Sequence, residues 1–260
     1  MSMIDGFQDQ VFFTVVRIVI KNEIGDGASI GTGFILRHEL SREKCCYFLV
    51  TNKHVIPNSV SPIDLVFHTS VDNKEPDLTN FRQVTLADYN GGYSAHPNSD
   101  IAVINLSKFS EEKGLFWRHI NMELIPNFDD LELKAGNEVW FVGYPQNRFD
   151  TKHNLPLLRK GSISSHPRVD FNGKPEIVID AQVFQGSSGS PVFSALGGSF
   201  KLIGIISETM IKNNQLQTVP TKDEQVVQEV IGLGIVIKSS VLRDFIVELG
   251  NELKKQNGIA

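Results

Sequence analysis

The chain of 260 residues holds only two cysteines, and they are neighbours, Cys45 and Cys46. A bridge between adjacent residues is strained, so no disulfide framework is expected, and a reducing compartment, the cytosol, suits the chain better than an oxidising one. Neither a CxxC spacing nor a nearby histidine accompanies them; they read as small apolar side chains on a strand, and no metal or other cofactor is expected. Basic charge is also in short supply. With 25 Lys and Arg against 30 Asp and Glu, the net charge is -5 and the pI near 5.8, which gives no overall attraction to nucleic acid or to an anionic membrane. No apolar stretch approaches the roughly 18 residues of a membrane-spanning helix. The run VFFTVVRIVI (11–20) is interrupted by Arg17, and the preceding MSMIDGFQDQ carries acidic charge and no basic residue, unlike a secretory leader.

What the sequence does contain is a series of short strand-forming segments separated by Gly, Asn, Asp and Pro clusters, spaced as in barrels or sandwiches. VFFTVVRIVI and GTGFILRH (31–38) flank the turn signal Asp26-Gly27 and predict a hairpin. CCYFLVTN, IDLVFH, FRQVTLAD and DIAVINL complete a first β half. Residues 107–134 are polar and irregular and connect it to a second half of six strands: NEVWFVGYP, RKGSISSH, PEIVIDAQVF, SPVFSAL, FKLIGIISE and GLGIVIK. Helical spacing of Val241, Leu242, Phe245, Ile246 and Leu249 predicts a helix over 239–256, capped by Ser239 or Ser240. A shorter amphipathic helix is predicted at 221–231, inside a long connection that reads as a solvated surface excursion, with a lid or docking surface as the alternative. The glycine-rich GDGASIGTG is followed by neither Lys-Ser/Thr nor a helix, which removes it as a phosphate loop.

FQGSSGSPVF (184–193) sets three serines between glycines and a proline. A serine hydroxyl is a weak nucleophile that needs a base, a group to orient the base, and hydrogen-bond donors where negative charge develops. Of the seven histidines, His68, His96, His119, His153 and His166 lie in polar contexts typical of surfaces, whereas His54 ends an apolar strand in FLVTNKHVI. Asp100 sits immediately before the apolar strand of DIAVINL. Gly186 and Gly189 permit a tight turn with converging amides, and Pro191 directs the chain into the next strand.

Gly186-Ser187-Ser188-Gly189-Ser190-Pro191 resembles the nucleophile loop of the trypsin/chymotrypsin-like serine proteases, TNKH (51–54) their histidine motif, and Asp100-Ile-Ala-Val-Ile their aspartate strand, in the family's order. GTGFIL, GNEVWFVGYP, GSISS, LIGIISE and GLGIVI are similar to the disulfide-free bacterial HtrA (Deg) branch. The resemblance spans about residues 10–248 and implies an all-β fold of two six-stranded antiparallel β-barrels with a C-terminal α-helix. Residues 1–110 would form the N-terminal barrel with His54 and Asp100, and residues 111–260 the linker, the Ser188 barrel and the helix, together one protease domain without a PDZ domain. It further implies Ser188 as nucleophile, His54 as general base and then acid, Asp100 as the orienting carboxylate, and Gly186 and Ser188 as oxyanion-hole amides, with Ser187 and Ser190 as turn residues.

Two departures bear on regulation and specificity. The secreted relatives carry an Asp directly before the nucleophile, paired with a cleaved Ile-Val-Gly-Gly terminus; here the position is Ser187 and no Ile-Val-Gly-Gly occurs. Activation by loop ordering, substrate, a partner protein or oligomerisation is the expectation that remains. Gln182 aligns with the floor of the specificity pocket and disfavours Arg or Lys, while Ser207, Glu208, Thr209, Gly234, Ile235 and Val236 would form its walls, with Glu208 able to recruit a basic side chain. The expected partner is a protein or peptide substrate cut by limited intracellular proteolysis. The competing reading is a catalytically silent peptide-binding module on the same fold. An esterase elbow needs glycine two places after the serine, where this chain has Ser190.

Overall fold

A computed structural model describes residues 4–21, 28–56, 62–70, 72, 74–87, 89–215 and 226–259. The first half runs α1 (Phe7–Gln10), β1 (Val15–Lys21), β2 (Ala28–Glu39), β3 (Cys45–Thr51), β4 (Ile63–Thr69), β5 (Asp77–Leu86), β6 (Tyr93–Ala95) and β7 (Ala102–Asn105), followed by the short strands β8 (Leu115–Phe116) and β9 (Ile120–Asn121). They form a nine-stranded sheet in the order β5-β4-β1-β2-β3-β7-β6, with β8 on β4 and β9 on β2. All pairings are antiparallel except that of β2 with β9. β1 and β2 pair from Val15 opposite Phe34 to Lys21 opposite Ala28, which is the expected hairpin. Its turn, with Asp26-Gly27, lies outside the described residues.

The second half holds β10 (Glu138–Gly143), β11 (Leu157–Ile163), β12 (Glu176–Asp180), β13 (Pro191–Leu196), β14 (Ser199–Gln215) and β15 (Val226–Lys238), closed into a barrel in the order β10-β11-β12-β15-β14-β13. The helix α2 (Ser239–Gln256) follows. The protein is thus all-β with a C-terminal helix and consistent with a double barrel, although the first half is a sheet of nine strands and not six, because the short β6, β8 and β9 add to it, and only the second half forms a closed six-stranded barrel.

Each half has its own apolar interior, one around Ile18, Leu49, Ile63 and Leu65 and the other around Val139, Phe141, Ile179 and Ile206. A third cluster joins them: Phe34, Phe48 and Ile101 from the first half meet Val142, Tyr144 and Phe193 from the second, and Leu242, Phe245 and Ile246 of α2 seal the seam. The spacing of these three residues puts them on one face of the helix. Truncating the fully buried Leu242 to Ala would cost about 2–5 kcal/mol by leaving a cavity there.

The structure corrects four local expectations. Val11–Phe13 is a 3-10 turn and not the start of a strand, because Thr14 donates from its hydroxyl to the Val11 carbonyl at 2.8 Å and closes the turn. Of the helix expected at 221–231, residues 226–231 are strand and the remainder lies outside the described residues. The β-branched Val226, Val227 and Val230 suit a strand, and β15 pairs with β14 as far as Val226 opposite Gln215. The helix α2 starts where predicted, but Lys238 occupies the cap position and no side chain caps it; the Ser239 hydroxyl is buried without a hydrogen-bond partner. His68 is buried and not a surface residue: its Nε2 lies 2.7 Å from the His153 carbonyl, and burial holds its pKa below the ordinary value.

Candidate active site

His54 lies in the turn that follows β3, where the buried Val55 and Ile56 anchor the chain on its far side. Asp100 directly precedes the apolar strand β7, and the Asn52 amide donates to its carbonyl at 2.7 Å, pinning the two segments together. The result is a short contact between imidazole and carboxylate: His54 Nδ1 is 2.6 Å from Asp100 Oδ2, and the His54 main-chain N–H donates to Asp100 Oδ1 at 3.2 Å. A third group completes the set, since the Ser207 hydroxyl donates to Asp100 Oδ2 at 3.1 Å.

These contacts set the charges. The hydrogen bond with Asp100 raises the His54 pKa above its ordinary value against the opposing effect of burial, helped by the negative charges of Asp100 and Glu208. For Asp100, burial pushes the pKa up, but the hydrogen bonds with His54 and Ser207 and the His54 charge outweigh it and leave the carboxyl below its usual range. An anionic Asp100 fixes the imidazole with its Nδ1–H toward the carboxylate, leaving Nε2 to accept a proton.

Ser188 sits in the turn between β12 and β13, and its hydroxyl donates to the Ser207 carbonyl at 3.2 Å. No hydrogen bond joins Ser188 to His54 among the described residues. Gly186 (φ 85°) and Gly189 (φ 86°) adopt left-handed backbone that disfavours a side chain, and a Cβ at Gly189 would stand 1.9 Å from the Thr32 carbonyl oxygen. Within the turn, the N–H groups of Ser187, Gly189 and Ser190 donate to Phe184, Ile206 and Ser187 carbonyls at 2.9–3.0 Å. The N–H groups of Gly186 and Ser188 donate to no described group. Two N–H donors without a described partner, one on Gly186 and one on Ser188 itself, are what receiving an oxyanion requires chemically. Ser187 and Ser190 are buried, and their hydroxyls have no hydrogen-bond partner among the described residues.

The expected pocket residues fall into two groups. Thr209 and Gly234 are paired across β14 and β15, Thr209 donating to the Val183 carbonyl at 3.0 Å and Gly234 packed against the Val183 side chain. Glu208 and Gln182 are exposed, whereas Val236 is 0% exposed and packs into the barrel interior. Sequence reasoning placed Ser207 in a pocket wall, and the structure brings its hydroxyl to Asp100. Thr32 was not singled out at all, although the two glycines that flank it in GTG gave a signal that this stretch approaches other backbone closely. Both matter below. A groove of about 1080 Å³ lies between the end of α2 and the first sheet, lined by Leu40, Cys45, Leu86 and Leu253, and contains none of these groups.

No curated protein matches the chain. A family model, the trypsin-like peptidase domain, matches residues 31–205, more than half of the chain and a span that includes His54, Asp100 and Ser188. The chain therefore belongs to the trypsin-like peptidase domain family.

Proposed function

We propose that the protein is a serine endopeptidase that cleaves protein substrates through Ser188, His54 and Asp100 and an acyl-enzyme intermediate. The observation that carries this reading is the 2.6 Å contact of His54 Nδ1 with Asp100 Oδ2 beside a serine flanked by the unpaired amides of Gly186 and Ser188. In this reading the Ser188 hydroxyl leaves the Ser207 carbonyl, on which it rests, and gives its proton to His54 Nε2. The imidazole takes the proton as Oγ attacks the scissile carbonyl carbon, and the carbonyl electron pair moves to the oxygen facing the amides. Collapse breaks the C–N bond, with His54 returning the proton to the leaving amine. Water then releases the acyl group by the same steps, and Asp100 stabilises the imidazolium that forms each time.

In this reading the enzyme acts in the reducing cytosol, consistent with two free cysteines, and makes limited cuts. It resembles the HtrA branch, and no helix of the described residues is long and apolar enough to cross a membrane. The binding-module reading is favoured by one observation, the Ser188 hydroxyl resting on Ser207 and not on the imidazole. Labelling with a fluorophosphonate separates the two, because only an assembled triad makes the serine reactive. The wild type and Ser187→Ala are expected to label and Ser188→Ala not to; an unlabelled wild type that also cleaves no protein substrate sinks the peptidase reading.

A further inference from the structure

The turn that carries Ser188 exposes two amides only if its carbonyls are turned elsewhere, since each peptide plane points its N–H and C=O in opposite directions. Four successive carbonyls have assigned partners. The Gln185 carbonyl accepts from the Gln146 N–H at 2.6 Å, and the Ser187 carbonyl from the Ser190 N–H at 3.0 Å. The Gly186 carbonyl accepts from the Thr32 hydroxyl at 2.8 Å, and the Ser188 carbonyl from the Thr32 N–H at 3.0 Å. The Gly186 and Ser188 N–H groups share peptide planes with the Gln185 and Ser187 carbonyls, held by Gln146 and Ser190, and Thr32 holds the carbonyls of the planes that follow each of them, those of Gly186 and Ser188.

Thr32 is suited to this. It lies on β2 of the first half, is 0% exposed, and has its own carbonyl fixed by the Thr51 hydroxyl at 2.7 Å. Its hydroxyl also accepts from the Tyr144 N–H at 3.1 Å, at the entry to the turn that presents Gln146. That turn holds Gln146 (φ 49°) and Asn147 (φ 55°) in the left-handed region, which non-glycine residues enter only when surroundings enforce it. The first half supplies further restraint through Arg17 on β1, which donates to Asn147 Oδ1 at 3.1 Å and lies 4.4 Å over the Phe149 ring.

We infer that Thr32 is a positioning residue for catalysis, which with the Gln146 N–H holds the Gln185–Ser188 peptides so that the Gly186 and Ser188 amides stay free for an oxyanion. The inference rests on the peptidase reading above. The amide pair is then set in part by the contacts of Thr32 between the two halves, with no contribution from an acid at position 187. A Gly186 carbonyl deprived of its donor is a buried polar group that rotates to find another, and the permissive glycine backbone lets the adjoining amides turn with it.

The test is steady-state cleavage of a peptide by the full chain carrying Thr32→Val, which keeps the shape and removes the hydroxyl, alongside Thr32→Ser, which restores it. Thr32→Val is expected to lower kcat by about 10²-fold, the scale of a small misplacement of a reacting group. KM and the acid limb of the pH profile should stay in place, and Thr32→Ser should recover most of the rate. Gln146→Pro removes the second donor and, with φ fixed at about −65°, also the left-handed turn that presents it, so it is expected to lower kcat at least as much, whereas Gln146→Gly keeps the N–H and suits the left-handed backbone. Should Thr32→Val not fold, the Gln146 pair decides. Wild-type kcat in folded Thr32→Val or in Gln146→Pro overturns the inference, as does a loss that appears in KM or moves the acid limb. A wild type that neither labels nor cleaves overturns the peptidase reading first.

Discussion

The Ser188 hydroxyl donates to the main-chain carbonyl of Ser207 at 3.2 Å, while the Ser207 hydroxyl donates to Asp100 at 3.1 Å. One residue of β14 thus contacts both the proposed nucleophile and the carboxylate that orients the proposed base. Replacing Ser207 by Ala leaves its carbonyl in place and removes only the bond to Asp100. A hydrogen bond to a charged group contributes about 1.5–3 kcal/mol, and Asp100 retains two bonds from His54, so kcat is expected to fall by roughly tenfold for the about 1.4 kcal/mol that remains uncompensated. Steady-state kinetics with KM near the wild-type value would support this; an unchanged kcat would show that His54 alone orients the carboxylate.

Gly189 and Ser187 flank Ser188 and predict opposite outcomes. At Gly189 the left-handed backbone costs a side chain about 1–2 kcal/mol, and the added Cβ would also collide with the Thr32 carbonyl oxygen, at 1.9 Å. No rotamer relieves a clash with main chain, so Gly189→Ala is expected to lower the melting temperature and abolish fluorophosphonate labelling together. The Ser187 side chain is 1% exposed and its hydroxyl has no hydrogen-bond partner. Removing a buried polar group without a partner relieves a desolvation cost, and Ser187→Ala is expected to match or exceed the wild-type melting temperature with labelling intact. A large destabilisation by Ser187→Ala would mean that the hydroxyl has a role these contacts do not reveal.

Apolar runs and their spacing made the β halves and the terminal helix legible: six strands from NEVWFVGYP to GLGIVIK close the second barrel, and α2 spans the predicted 239–256. His54 and Asp100 could be picked out because each borders a buried strand, and the glycines marked the turn at Ser188. What eluded sequence reasoning depends on contacts distant along the chain. Thr32 meets Gly186 across 154 residues, and nothing local to a threonine between two glycines says which backbone it will meet. The segment 226–231 failed for a different reason: QVVQEVI has apolar residues at both helical and strand spacing, and the partner strand β14 decides between them. The cap of α2 differs because the helix begins at Ser239 directly after β15, which leaves Lys238, the last residue of that strand, in the cap position.

That lysine yields a stability prediction. Lys238 has a side chain 5% exposed, its Nζ lies 2.6 Å from Asp170 Oδ1, and it sits 5.2 Å over the Phe128 ring. Asp170 is 52% exposed, so water screens part of the attraction. Removing the acid leaves the buried ammonium without its partner, whereas an apolar side chain of similar length removes the charge itself. Asp170→Asn is therefore expected to destabilise the fold by about 1–2 kcal/mol, after the discount for exposure. Lys238→Met is expected to cost less. Urea unfolding of both variants checks the order, and the reverse order would show that the lysine contributes through its charge more than it costs.

Glu208 follows Ser207 on β14 and is exposed, and its charge is among the influences that raise the His54 pKa, after the hydrogen bond and charge of Asp100. The proposed base must be neutral to take the Ser188 proton, so activity is absent below the His54 pKa and rises as pH passes through it. Because that pKa is raised, the acid limb of kcat/KM should lie above the ordinary imidazole value of about 6.5. Glu208→Gln removes one of the charges favouring the imidazolium, which moves the limb to lower pH, and added salt should diminish the difference between the two proteins by screening the exposed carboxylate. The same substitution tests specificity, since an exposed carboxylate next to Ser207 would attract a basic substrate side chain. The kcat/KM ratio for paired peptides carrying Arg or Gln is expected to fall in Glu208→Gln. If the limb shifts and the ratio does not, Glu208 tunes the base without contacting substrate; if neither changes, its charge does not reach His54 through the intervening water.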